Sequence, residues 1–180
     1  MGVKSVCVFC GSSTAAPEWA MDLAERVGRG LAEKGVHLVY GGASIGMMGA
    51  MANAALANGG RVTGVIPKNL MLDEVVHESL THLVVTEDMH SRKKAMFGIS
   101  DALVCLPGGL GTLEETLEMM TWKYLGIHIK PVIIVNHKGF YDHLLKQFER
   151  CGQDGLLRPG LEKLWKTCQD EEALFALMGL

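Results

Sequence analysis

Residues 101–122 read DALVCLPGGLGTLEETLEMMTW. A short apolar run stops at Pro107, three glycines fill most of the next four positions, and a stretch with helical spacing follows. A buried strand, a glycine turn and a helix in that order form one half of a βαβ unit. Gly108, Gly109 and Gly111 expose backbone N–H groups, and a helix expected to open at Thr112 adds the positive end of its dipole. Together they predict an anion site suited to a phosphate. No Lys-Ser/Thr pair follows the glycines as in a Walker A loop, which favours a monophosphate over a magnesium triphosphate. The plain alternative is an ordinary tight turn.

Outward from this unit, the same alternation repeats. Strands are expected over residues 3–9, 36–40, 61–66, 82–86, 102–106 and 131–136. Helices are expected over 17–34, 47–58, 89–99, 112–125, 140–151 and 171–178. Trp19, Leu23, Val27 and Leu31 set one apolar stripe at a spacing of four. Residues 68–81 read as a loop with a short helix, and 152–160 as a polar turn. The runs VHLVY, ALVCL and VIIV are apolar on both faces, as a parallel sheet covered on both sides requires. The fold class predicted is α/β: a single Rossmann-like domain over residues 1–180, with a doubly wound parallel sheet of six or seven strands.

In such a sheet ligands bind beyond the carboxyl ends of the strands. Glycine-rich strand-to-helix turns occur there three times: CGSS at 10–13, GGASIGMMG at 41–49 and PGGLGT at 107–112.

Composition narrows the function classes. The 180 residues hold 17 Lys+Arg against 20 Asp+Glu, a net charge of −3. That balance supplies no electrostatic reason to bind nucleic acid or an anionic membrane. No apolar run approaches the roughly 20 residues of a membrane helix. The opening VKSVCVF carries no secretory pattern, and Val6 breaks the myristoylation pattern. Five irregularly spaced cysteines fit a reduced, cytoplasmic setting. Cys7 and Cys10 lie three apart on a strand and face opposite ways, and no metal-ligand spacing occurs, so no metal site is expected. The methionines at 47, 48, 51, 119 and 120 read as core or interface filler.

Individual polar residues each carry two readings. Glu115 follows Thr112 by three residues, a T-x-x-E capping box; taken alone, capping is the simpler reading, and acid/base work at the phosphate site is the other. Glu114 and Glu118 read as solvated helix charges. Arg92 shares a helical stripe with Met96 and Ile99, so it should be partly buried and needs an anion. That anion is Glu115, a substrate phosphate or another carboxylate. Lys93 and Lys94 read as a solvated face. GASIG at 42–46 matches the G-x-S-x-G elbow, making a Ser44 hydrolase one alternative. A non-catalytic nucleotide carrier is another; it needs the glycine loops but not Arg92 and Glu115 together.

The stretch PGGLGTLEE at 107–115 resembles the PGGxGTxxE hallmark of the Lonely Guy family of cytokinin riboside 5′-monophosphate phosphoribohydrolases. VFCGSS at 8–13, GGASIGMMG, MHSRK at 89–93 and TWKYLGIH at 121–128 extend the resemblance over almost the whole chain. Ala43 stands where the family usually has a third glycine, Lys94 where alanine is common, and Asn69 where some plant members are acidic. The resemblance implies hydrolysis of the N-glycosidic bond of a purine nucleoside 5′-monophosphate, releasing free base and ribose 5-phosphate. It implies catalytic roles for Arg92 and Glu115. It places Lys93, Gly108, Gly109, Leu110, Gly111, Thr112, Leu113, Glu114 and Thr121 at the substrate, with Gly42 and Ser44 from the second loop. It also implies a homodimer and a reaction that needs no metal or organic cofactor, and it argues against the lysine decarboxylase label that relatives often carry.

Overall fold

A computed structural model describes residues 2–71, 76–157, 160 and 163–180. Seven strands form one sheet: β1 (Ser5–Phe9), β2 (His37–Tyr40), β3 (Val62–Pro67), β4 (His82–Thr86), β5 (Ala102–Cys105), β6 (Val132–Val135) and β7 (Lys166–Cys168). Their order is β4-β3-β2-β1-β5-β6-β7, and every neighbouring pair is parallel. Among the described residues six α-helices connect them: α1 (Glu18–Glu33), α2 (Gly46–Ala57), α3 (Met89–Ile99), α4 (Leu110–Tyr124), α5 (Asp142–Gln153) and α6 (Glu171–Met178).

Strand alternation sorts the core into two layers. Val6 and Val8 of β1 point into a cluster with α1, α2 and α6, where Leu23, Val27 and Leu31 are fully buried. Cys7 and Phe9 point into a second cluster with Met96 of α3, Met119 and Met120 of α4, and Tyr141. The opposite placement of Cys7 and Cys10 follows from the same alternation, and all five cysteines are free. Asp101 ties the two central strands where β5 begins: its Oδ2 accepts from the Lys4 and Ser5 amides at 2.9 and 3.0 Å.

Three expectations change. The seventh strand, β7, lies in a stretch that carries no strand pattern, because it is three residues long, mostly polar and on the sheet edge. Helix α4 opens at Leu110 rather than Thr112, with Gly109 as its N-cap, so Thr112 sits inside the first turn. The T-x-x-E capping box is therefore not formed; the capping box in this region is Asp88/Ser91 at the head of α3. Helix α5 starts at Asp142 and runs on to Gln153, into the stretch expected to be a turn. Lys68–Leu70 forms a short 3-10 turn as expected, while 72–75 and 158–159 of the expected loops lie outside the described residues.

Candidate active site

The strand order reverses between β1 and β5, and the loops leaving these two strands part in opposite directions. That is where a doubly wound sheet opens a ligand crevice. A cleft of about 370 Å³ lies there, between residues 10–13 of the first loop and the 109–112 turn, closed by Met48, Leu70, Met89, Arg92, Glu114 and Glu115. The two loops touch: the Gly11 N–H donates to the Pro107 carbonyl at 3.1 Å. Gly108 permits this approach, because a Cβ there would collide with both Thr112 and the Gly11 amide.

The head of α4 forms the anion end. The amides of Leu110, Gly111 and Thr112 belong to the first turn and have no partner in the helix's own ladder, which begins at Leu113 N–H to the Gly109 carbonyl. With the helix dipole they form a helix head of the kind that suits an anion, two residues upstream of the helix start expected from the sequence.

Arg92 forms the cation. The Asp88/Ser91 box fixes the start of α3, with Ser91 N–H to Asp88 Oδ1 at 2.7 Å and Asp88 N–H to Ser91 Oγ at 3.1 Å. One residue on, Arg92 is 4% exposed. Its Nε donates to the Val65 carbonyl at 2.9 Å and one terminal nitrogen to the Gly41 carbonyl at 3.0 Å. A side chain at Gly41 would occupy the space of that nitrogen. The other terminal nitrogen faces Glu115 Oε1 at 3.9 Å. Of the partners open to Arg92 in sequence, the protein provides Glu115 and adds two backbone carbonyls that offset the cost of burying the guanidinium. Ile99, expected on the same buried stripe, is 36% exposed.

Glu115 sits in the second turn of α4 and is 5% exposed. Its charge is felt by the thiols beneath it: burial raises the Cys7 and Cys10 pKa values, and the Glu115 carboxylate raises them further. Cys10 lines the cleft yet stays a protonated thiol, which excludes it as a nucleophile at neutral pH.

Lys93 overturns its sequence reading as a solvated cation. It is 4% exposed, and its ammonium lies 2.5 Å from Glu114 and 2.8 Å from Glu118. Burial alone would lower its pKa, but the two carboxylates outweigh that and hold it above its ordinary value. Glu114 and Glu118, expected to be free helix charges, are partners in this bridge from α4 to α3. Lys93 does not line the cleft.

Other residues expected at the substrate divide. Gly109, Leu110, Gly111, Thr112 and Glu114 line the cleft with Arg92 and Glu115. Gly108 lies behind the turn, Leu113 packs against the second core cluster, and Thr121 faces a separate apolar groove beside Leu117 and Tyr124. Gly42 packs on β3 and its carbonyl accepts the His77 N–H at 3.0 Å. Ser44 lies outside the cleft and lacks a left-handed backbone, which among the described non-glycine residues occurs at Lys138. The strained elbow of a serine hydrolase is thus not built at Ser44. Sequence reasoning missed Ser12 and Ser13 individually, although the CGSS turn marked their loop. It also missed Met48, Leu70 and Met89, which carry no signal beyond being apolar.

Fold and cleft define a Rossmann-like protein with a helix head opening on a cleft beside a buried arginine–glutamate pair. Residues 48–178 match the protein family described as "Possible lysine decarboxylase". The chain is 43% identical over 174 residues to a cytokinin riboside 5′-monophosphate phosphoribohydrolase of Rhodococcoides fascians, covering 96% of this chain and 88% of that protein. It is 41% identical over 171 residues to the cytokinin riboside 5′-monophosphate phosphoribohydrolase LOG5 of Arabidopsis thaliana, covering 95% and 75%. Among solved structures, the molybdenum cofactor binding protein of Rippkaea orientalis shares the fold, with a TM-score of 0.75 at 22% identity over 99% of this chain and 97% of that one. The chain belongs to the Lonely Guy family, whose curated relatives are the cytokinin riboside 5′-monophosphate phosphoribohydrolases.

Proposed function

We propose that this protein is a phosphoribohydrolase that cleaves the N-glycosidic bond of cytokinin riboside 5′-monophosphates, releasing the free base and ribose 5-phosphate. The observation that carries this reading is one cleft holding both a helix head with unpaired amides and the Arg92–Glu115 pair. The relatives' shared activity supports it. The substrate's 5′-phosphate docks on the amides of residues 109–112, which sets the ribose against Glu115. As the C1′–N bond breaks, its electron pair leaves with the base, which acquires a proton, and positive charge develops on the sugar. The buried Glu115 carboxylate stabilises that charge and accepts a proton from the water whose oxygen bonds to C1′. Arg92 fixes the carboxylate's position. Met48, Leu70 and Met89 offer an apolar wall to the base.

The decarboxylase description implies a pyridoxal phosphate lysine, and Lys93 does not fit that group. A Schiff-base lysine must give up its proton. Two carboxylates hold the Lys93 ammonium charged instead.

The test is a panel of nucleosides and their 5′-monophosphates with detection of free base. Cleavage of a cytokinin riboside as efficient as that of its 5′-monophosphate overturns the phosphate site; no base from any monophosphate overturns the hydrolase.

The finer expectations complete the proposal. One domain carries the reaction in a reduced, cytoplasmic setting, and no helix among the described residues is long and apolar enough to cross a membrane. The active unit is a homodimer. Its support is not the methionines of α2 and α4, since Met47, Met51, Met119 and Met120 are buried. Instead Leu117, Tyr124, Leu125, Ile127 and Ile129 expose apolar surface along α4 and the loop after it. Sedimentation should give twice 19.5 kDa at micromolar concentration; a monomer alone refutes this.

A further inference from the structure

Tyr141 lies at the N-cap of α5, 35 residues beyond Leu106, yet its side chain reaches back beneath the phosphate turn. It is 3% exposed. Its hydroxyl donates to the Leu106 carbonyl at 2.8 Å, and the Cys105 thiol donates to the phenol oxygen at 3.2 Å. The Gly108 N–H faces the same oxygen. All three neighbours of this hydroxyl thus come from residues 105–108.

Leu106 is where the sheet ends. Its N–H still bonds to the Phe9 carbonyl at 2.9 Å, but β5 stops at Cys105 and the Leu106 carbonyl has passed beyond the ladder. The next peptide opens the turn. From the first loop, Gly11 holds the Pro107 carbonyl; from the other flank of β5, beyond the end of β6, Tyr141 holds the Leu106 carbonyl. Tyr141 is itself fixed, with its N–H on Asn136 Oδ1 at 2.7 Å, while Asn136 Nδ2 donates to Asp142 at 2.7 Å. A phenylalanine would fill the same volume without burying a hydroxyl, which is unfavourable unless the hydroxyl is bonded.

We infer that Tyr141 is the positioning residue of the phosphate turn. Its hydroxyl sets the Leu106–Pro107 peptide, and with it the direction in which the amides of residues 109–112 meet the substrate's phosphate. This rests on the hydrolase reading above.

The experiment measures ribose 5-phosphate affinity by calorimetry and base-release kinetics on the whole chain, in wild type, Tyr141→Phe and Phe148→Leu. Phe148 packs α5 on Trp165 with ring centroids 5.1 Å apart and lines the apolar groove beside Leu117 and Thr121, not the cleft. Tyr141→Phe should bind ribose 5-phosphate about tenfold more weakly and raise KM by a similar factor, with kcat within about twofold, the scale of a hydrogen bond's net contribution. Phe148→Leu should melt earlier but bind as wild type does. Unchanged affinity in Tyr141→Phe, an equal loss in Phe148→Leu, or a fall in kcat alone overturns the inference. If wild type binds ribose 5-phosphate but releases no base, and Tyr141→Phe binds it more weakly, the positioning role stands and the hydrolase reading falls. A wild type that neither binds nor hydrolyses overturns both.

Discussion

At the scale of single residues, Glu115 decides between structure and chemistry. Helix α4 begins at Leu110 with Gly109 as its cap, so Glu115 stands in the second turn and has no capping duty. Its burial against Arg92 serves the cleft. Glu115→Gln keeps the side chain's volume and its hydrogen-bonding reach, and Arg92 retains the Val65 and Gly41 carbonyls. The variant should lose less than about 2 kcal/mol of stability. Base release should fall by about 10²–10⁴-fold, the usual worth of a positioned acid/base group. Thermal melts and base-release assays on one preparation check both; near-normal turnover removes Glu115 from the mechanism. Much of this was legible in the sequence. A lone arginine on an apolar helical stripe had to find an anion, and a glutamate after a glycine turn was the natural one. What the stripe could not foretell was that two backbone carbonyls from β3 and the end of β2 would share the guanidinium, because those contacts depend on how α3 crosses the sheet.

Elements meet through Lys93. Helices α3 and α4 come from separate βα units, and the Lys93 bridge to Glu114 and Glu118 joins them directly behind the cleft. One carboxylate of this bridge, Glu114, also lines the cleft. Lys93→Met preserves the stem's apolar packing but leaves the two glutamates facing each other without their cation. Urea unfolding should show a loss of about 1.5–3 kcal/mol, the range for hydrogen bonds to charged groups. A loss below about 0.5 kcal/mol would reduce the bridge to an ordinary surface pair. The helices themselves were legible from their periodicity, α3 to the residue. Lys93 was misread because position on a helix says which residues share a face, not which face a neighbouring helix will cover. The α4 boundary slipped for a related reason: Thr112 has the chemistry of an N-cap, but the turn places Gly109 there.

For the molecule as a whole, buried titratable groups bound the range of stable pH. Burial holds His37, His77 and His128 below the ordinary value of 6.5. The unfolded chain therefore takes up protons first as pH falls, and stability should decline below about pH 6.5. Burial raises the thiols of Cys7, Cys10, Cys105 and Cys168 above the ordinary 9.0. Above about pH 9 the unfolded chain releases protons first, and stability should decline again. Unfolding curves across this range should show a plateau between the two limits, and a maximum outside it would contradict the assignment. The parallel order of the sheet was legible because its inner strands are apolar on both faces. The edge strand β7 was not, since an edge needs neither length nor apolar character to pair on one side.

The central strand has a further consequence, which concerns how the chain comes off the ribosome. Val6 of β1 pairs with Ala102 of β5, nearly a hundred positions later. At roughly 5–20 residues per second of synthesis, β1 waits on the order of 5–20 s for its second neighbour. Throughout that interval the growing half-sheet of β1 to β4 carries its most apolar strand as an open rim, a template for pairing with other nascent chains. A polypeptide halted before residue 102 keeps that rim permanently, so truncated translation products of this protein should aggregate where the finished chain does not.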